Sequence, residues 1–167
     1  SKRFGEVKLN YYLDIWNEDA NVQLSALTFL LPCGRACVTF RGTDESINGW
    51  KESFSMVYRF PVPAQEYAAI YLNQVGKRID NPLIVCGHSK GGNLAVYAGV
   101  RASYRTRRKI LEIFNHDGPG FYDLNSLGDA YEEMLPKIHS FVPETAVVGM
   151  LLEQVGEHNV VKSNNKG

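Results

Sequence analysis

The sequence predicts an α/β fold: a mainly parallel sheet with helices on both faces and an N-terminal β-hairpin. Two observations carry this. Short apolar runs at 82–86, 110–114, 137–142 and 159–163 alternate with helical patterns over 64–78, 90–103 and around 130–135. Strands and helices in alternation build parallel sheets through helical crossovers. Ahead of them, β-like runs at 23–31 and 36–40 are separated only by Pro32-Cys33-Gly34-Arg35, turn chemistry that makes a hairpin the economical connection.

The elements follow in order. Up to about residue 21 aromatics mix with charge, and Leu9, Tyr12, Leu13 and Trp16 fit one face of a short helix. After the hairpin, Arg41-Gly42-Thr43-Asp44 ends the second strand in turn chemistry. Residues 49–59 read as irregular and aromatic-rich, punctuated by Pro61 and Pro63. From 64 to 78, Tyr67, Ala68, Ile70, Tyr71, Leu72 and Val75 recur as on a helix packed against a sheet. Arg101, Arg105, Arg107, Arg108 and Lys109 gather where the next helix ends, and cations there complement the helix dipole. Without interleaved aromatics or a second basic face they read as a solvated turn, not a nucleic-acid surface. The apolar stretch 147–155 reads as a short helix or lid piece.

At 167 residues, 44% hydrophobic and 22% charged, residues 1–167 make one domain able to bury a core. Formal net charge is zero, so no global field favours nucleic acid or an anionic membrane. No apolar run approaches the ~20 residues of a transmembrane segment, and no leader opens the chain, so a cytoplasmic location is expected. Three cysteines do not suggest a disulfide framework. Cys86 reads as a small buried strand residue, and Cys33 and Cys37, either side of the hairpin turn, as free thiols. No Cys or His spacing suits zinc; no metal and no cofactor are expected.

Gly87-His88-Ser89-Lys90-Gly91 carries the chemistry. It joins an apolar strand to a helix of small residues, Gly92, Ala95, Ala98 and Gly99, and reads as a Gly-x-Ser-x-Gly nucleophile elbow. The strained apex projects Oγ of Ser89 from the sheet edge, and the Lys90 N–H points where an oxyanion would form. A packing turn or a phosphate cradle is the plainer reading, but Walker and Gly-x-Gly-x-x-Gly spacings are absent. A serine hydroxyl needs an imidazole to take its proton and a carboxylate to orient that imidazole. Two acids follow strands after the elbow helix. Glu144 follows Phe141-Val142-Pro143 and is slightly preferred, and Asp117 lies in Asp-Gly-Pro-Gly. Each also has a plain structural role, as a helix-start carboxylate or a turn aspartate.

The histidine runs short. His116, in a loop at the correct edge, is the best intrachain substitute; His88 is expected to pack, His139 to be a strand residue, and His158 to emerge at the wrong end of the sheet. The simplest expectation is that the chain lacks its C-terminal end and the catalytic histidine with it. Thr43, at the end of a strand, is the candidate second oxyanion donor; removing one such donor costs about 3 kcal/mol of transition-state stabilisation.

Phe40-Arg41-Gly42-Thr43, Trp50 and Gly87-His88-Ser89-x-Gly91-Gly92 together resemble the class 3 lipases of the α/β-hydrolase superfamily. The resemblance implies an oxyanion role for Thr43 and a lid region around 47–54. From about 24 to 163 the chain is similar to a bacterial family of α/β-hydrolase-like proteins related to these lipases. That likeness runs through Gly49-Trp50-Lys51-Glu52, Pro63-Ala64-Gln65, Gly87 to Tyr97 and Asp117-Gly118-Pro119-Gly120-Phe121. Lys90 departs from the apolar residue usual after a lipase nucleophile, and an ammonium at the mouth would favour acidic substrates. The expected function is hydrolysis of a small-molecule or lipid ester, a carboxylic ester or thioester. Trp50, Phe54, Tyr58, Phe60 and residues 147–152 would wall an acyl pocket or build the core. The alternative is a catalytically incomplete binding or scaffolding protein of the same fold.

Overall fold

The computed structural model describes residues 4–19, 22–43, 47–154 and 156–162, and of residues 47–50 the backbone alone. Among them seven strands form one sheet whose spatial order follows the chain. These are β1 (Lys8–Asn17), β2 (Val22–Leu30), β3 (Ala36–Phe40), β4 (Leu83–His88), β5 (Ile110–His116), β6 (Ile138–Pro143) and β7 (His158–Val161). β1, β2 and β3 pair antiparallel, and β3 through β7 run parallel. The crossovers carry α1 (Ile47–Ser55) and α2 (Pro63–Arg78), then α3 (Lys90–Val100) with the one-turn α4 (Tyr104–Arg107), then α5 (Asp129–Met134). The α/β class, the mainly parallel sheet and the N-terminal hairpin are as the sequence predicts; helices are expected on both faces, whereas α2, α3 and α5 share one. Asp44, Ser163 and the side chain of Trp50, all used in reading the sequence, lie outside the described residues.

The hairpin turn closes where expected: the Leu31 N–H donates to the Arg35 carbonyl at 2.9 Å, and Gly34 takes φ 80°. The opening segment differs from expectation, forming strand β1 instead of a helix. Tyr11, Leu13 and Ile15 pack on the core while Tyr12 and Trp16 are exposed, a period of two. A register shift between Asn10 and Leu13, with Tyr11 at φ 53°, changes the phase of that alternation and mimics a helical spacing. Of residues 49–59, expected to be irregular, the first part belongs to α1. Its composition is poor for a helix, and Glu52 and Met56 anchor it by burial.

Right-handed crossovers between consecutive neighbours put their helices on the same side of a sheet. Leu72 and Val75 of α2, Leu94 and Ala98 of α3, and Tyr131 and Met134 of α5 accordingly share one core with Val38, Phe40, Val85 and Ile113. Every residue of α3 is buried. Its small residues let it lie on β5, where a β-carbon on Gly99 would stand 2.4 Å from Ile113 Cδ1. The helix layer is uneven, because Cys37, Thr39, Ile84, Cys86, Phe114, His139 and Phe141, on the alternate positions, are only half-buried. There Cys37 and Cys86 bring their sulfurs to 3.6 Å, while Cys33 is exposed, all three as free thiols. Arg105 and Arg108 of the basic run are exposed, and the other three cations are engaged locally. Lys109 donates to the Gly76 and Ile79 carbonyls and pairs with Asp80 at 3.0 Å, Arg107 pairs with Glu133 at 3.2 Å, and Arg101 donates to the Ser126 carbonyl.

Candidate functional site

β4 ends, the chain turns through Ser89, and α3 begins at once. Ser89 takes φ 55° and ψ −131°, a conformation that residues with a β-carbon rarely adopt. Hydrogen bonds hold it there: its N–H donates to the His116 carbonyl at 2.9 Å, and its carbonyl accepts from Gly92 N–H at 2.8 Å. The flanking glycines are sterically required, since a β-carbon on Gly87 would lie 2.1 Å from the Gly91 carbonyl oxygen. One on Gly91 would lie 2.2 Å from that of Phe40. The end of β3 therefore presses directly onto the turn and delivers Thr43 beside it.

Ser89 is half-exposed and opens onto a cleft of about 330 Å³. Gly42, Thr43, Lys90 and Pro119 share its floor with Ser89 and His88, and Phe54, Met56, Val57, Val148, Leu151 and Leu152 give it apolar walls. Of the residues expected to wall an acyl pocket, Phe54, Val148, Leu151 and Leu152 do so. Phe60 instead packs edge-on between Tyr97 and Phe121, each at 5.8 Å, and Tyr58 is exposed. The Thr43 hydroxyl is tied to that of Ser53 on α1 at 2.6 Å.

A second cavity of about 230 Å³ adjoins the first at His88, lined also by His116, Asp117, Phe141, Val142, Pro143 and Val161. Asp117 takes φ 52°, and its Oδ1 accepts the Gly149 N–H at 3.0 Å. Glu144 lies in neither cavity; its side chain is exposed, and its N–H donates to the Val161 carbonyl at 3.3 Å. His116 stacks its ring on Phe141 at 5.5 Å and Phe114 at 6.2 Å. His88, expected to pack inside, is exposed because the alternation of β4 turns it to the rim. His139 stacks on Phe114, and His158 Nε2 meets Gln154 Oε1 at 2.9 Å. Among the described residues no histidine hydrogen-bonds the Ser89 hydroxyl. Four described residues other than glycine have positive φ: Tyr11, Ser89, Asp117 and Leu152. Three of these four line the two cavities, and backbone strain concentrates where function is built.

The Lys90 side chain corrects the expected ammonium at the mouth. It turns inward, 2% exposed, and Nζ donates to the Gln23 carbonyl (2.7 Å), Gln23 Oε1 (2.6 Å) and Glu52 Oε2 (3.0 Å). A buried ammonium needs a counter-charge, and α1 supplies it. Sequence reasoning missed this partner, although Glu52 closes the Gly49-Trp50-Lys51-Glu52 motif. It also missed a second tie: Gln65 Nε2 donates to Asn93 Oδ1 at 2.8 Å, and Asn93 Nδ2 donates to the Gly120 carbonyl at 2.7 Å. That link holds the loop carrying Asp117 against α3.

Among the described residues no group of three or more His, Cys, Asp or Glu side chains is arranged to hold a metal. No described helix is long and apolar enough to cross a membrane.

The molecule has a lipase-like α/β fold. The native propeptide complex of Rhizomucor miehei lipase matches with a TM-score of 0.67 at 17% identity, over 98% of this chain and 59% of that one. A deletion mutant of that complex matches equally well, over 98% and 58%. A fungal lipase–inhibitor complex, described as a model for interfacial activation in lipases, matches with a TM-score of 0.59 at 16% identity, over 88% and 61%. This chain thus spans about three fifths of the length of those lipases. Residues 1–167 match the Mbeg1-like family, and the chain belongs to that family. No curated protein matches the sequence.

Proposed function

We propose that the chain carries the acyl-binding and nucleophile-bearing part of a serine ester hydrolase, acting on a carboxylic or lipid ester. The observation that supports this best is the strained Ser89, opening onto an apolar cleft with Thr43 at its side. Ser89 Oγ attacks the ester carbonyl and the alcohol leaves; water then releases the acid from the acyl-enzyme. The N–H groups of Lys90 and Thr43 stabilise the oxyanion. The Ser89 proton has to pass to an imidazole and from it to the leaving alcohol; within this chain His116, which borders the second cavity, is the candidate. Of the two acids, Asp117 is better placed to orient it, because it borders that cavity and Glu144 does not.

The absence, among the described residues, of a histidine bonded to Ser89 favours the second reading, a binding protein that keeps the fold without turnover. Labelling with a fluorophosphonate probe separates the two. The hydrolase reading predicts stoichiometric labelling that Ser89→Ala abolishes. Labelling no faster than that of the Ser89→Ala control overturns it in favour of binding.

A further inference from the structure

A carboxylate and an ammonium lie together in the interior: Glu52 is 0% and Lys90 2% exposed. The Glu52 carboxylate accepts from Lys90 Nζ and from the Gln23 N–H on one oxygen, each at 3.0 Å, and from the Ala64 N–H on the other at 3.1 Å. One side chain of α1 thus joins the start of β2, the first turn of α2 and the residue that follows Ser89. The Thr43–Ser53 hydroxyl contact ties α1 to the end of β3 as well. Moving α1 off the cleft would strand a buried ammonium and leave two backbone N–H groups without their acceptor.

The opposite side of α1 supports the same conclusion. Phe54 is 65% exposed, and across the cleft Val148 and Leu151 are exposed too. The apolar rim already meets solvent, so no displacement of α1 is needed to uncover it.

We infer that α1, although placed by family resemblance in a lid region, is a fixed wall of the cleft, locked by Glu52 and Lys90 to the turn that carries Ser89. The consequence for substrate rests on the hydrolase reading. A permanently open cleft of about 330 Å³, at the small end of ligand pockets, takes dissolved esters of short to medium acyl length one molecule at a time. Turnover then needs no lipid–water interface.

Amide hydrogen exchange tests the fixed wall directly. In the unmodified protein, amides of 51–57 stay protected and change less than twofold when phosphatidylcholine vesicles are added. In Glu52→Gln they exchange at least tenfold faster while β4 and β5 amides hold. Should that variant not fold, the vesicle comparison on the unmodified protein decides alone; vesicle-induced exposure of α1 by tenfold or more overturns the inference. The substrate consequence is read with p-nitrophenyl butyrate and octanoate. Rates are expected to saturate smoothly through the solubility limit, and a jump above fivefold at that limit overturns it. No Ser89-dependent hydrolysis of either ester would refute the hydrolase reading and with it the substrate consequence, and leave the exchange data to decide the wall.

Discussion

At the scale of single residues, the site is a set of positions where the cheap local conformation has been given up. Ser89 and Asp117 hold positive φ without being glycine, and each is kept there by backbone hydrogen bonds across β5 and β6. Lys90 has given up hydration. Removing its charge with Lys90→Met leaves Glu52 buried and unpaired, and the expected loss is about 3–5 kcal/mol. Lys90→Met combined with Glu52→Gln leaves no buried charge and should lose less than Lys90→Met alone. Urea unfolding followed by circular dichroism checks both, and a double variant weaker than the single one would contradict the pairing. Ser89 and its two glycines were legible in the sequence because backbone sterics leave few residue choices at such a turn. The Lys90–Glu52 pair was not, because burial of a long side chain depends on which distant element arrives to neutralise it. The direction of His88 was misread although the alternation of β4 carries it to the same side as Ile84 and Cys86.

At the scale of elements, pairing partners decide what local pattern leaves open. The aromatic opening became β1 because β2 offered an unpaired edge, and the bulge near Tyr11 hid the two-residue period from any periodicity count. Tyr71 of α2 secures that arrangement. Its hydroxyl donates to the Tyr11 carbonyl and meets Thr28 Oγ1 of β2 at 2.9 Å. Burial raises the Tyr71 phenol above its ordinary range, with the Thr28 bond opposing more weakly. The folded state therefore holds this proton more tightly than the unfolded chain does. The associated stability is fully present below the unfolded value, about pH 10, and is lost as pH rises through the raised folded value. Tyr71→Phe should cost about 0.5–1.5 kcal/mol at neutral pH through the lost hydrogen bond. It should also show a shallower decline than the unmodified protein as pH passes about 10. Urea midpoints across that range measure both; parallel declines would mean that Tyr71 does not titrate with unfolding. The hairpin, α2, α3 and the central parallel strands were legible because each has its own turn chemistry or period. α1 was not, since tertiary burial and not propensity makes it a helix.

At the scale of the whole molecule, one continuous core runs from β2 through α2, α3 and α5 to β5. Nothing in that core divides the described residues into separable halves, so unfolding is expected to be a single cooperative transition. Tryptophan fluorescence and far-ultraviolet circular dichroism should give the same urea midpoint, and two separated midpoints would disprove a shared core. The mainly parallel α/β architecture was legible from strand–helix alternation and its likeness to lipases from the motifs around Gly42 and Ser89, whereas the unequal covering of the sheet followed only from strand order. That order has a temporal meaning as well. Each strand, once synthesised, finds its neighbour already in place on the edge built just before it. The sheet is therefore ordered for growth in one direction during synthesis, the longest wait for a partner being the stretch between the end of β3 at Phe40 and the start of β4 at Leu83.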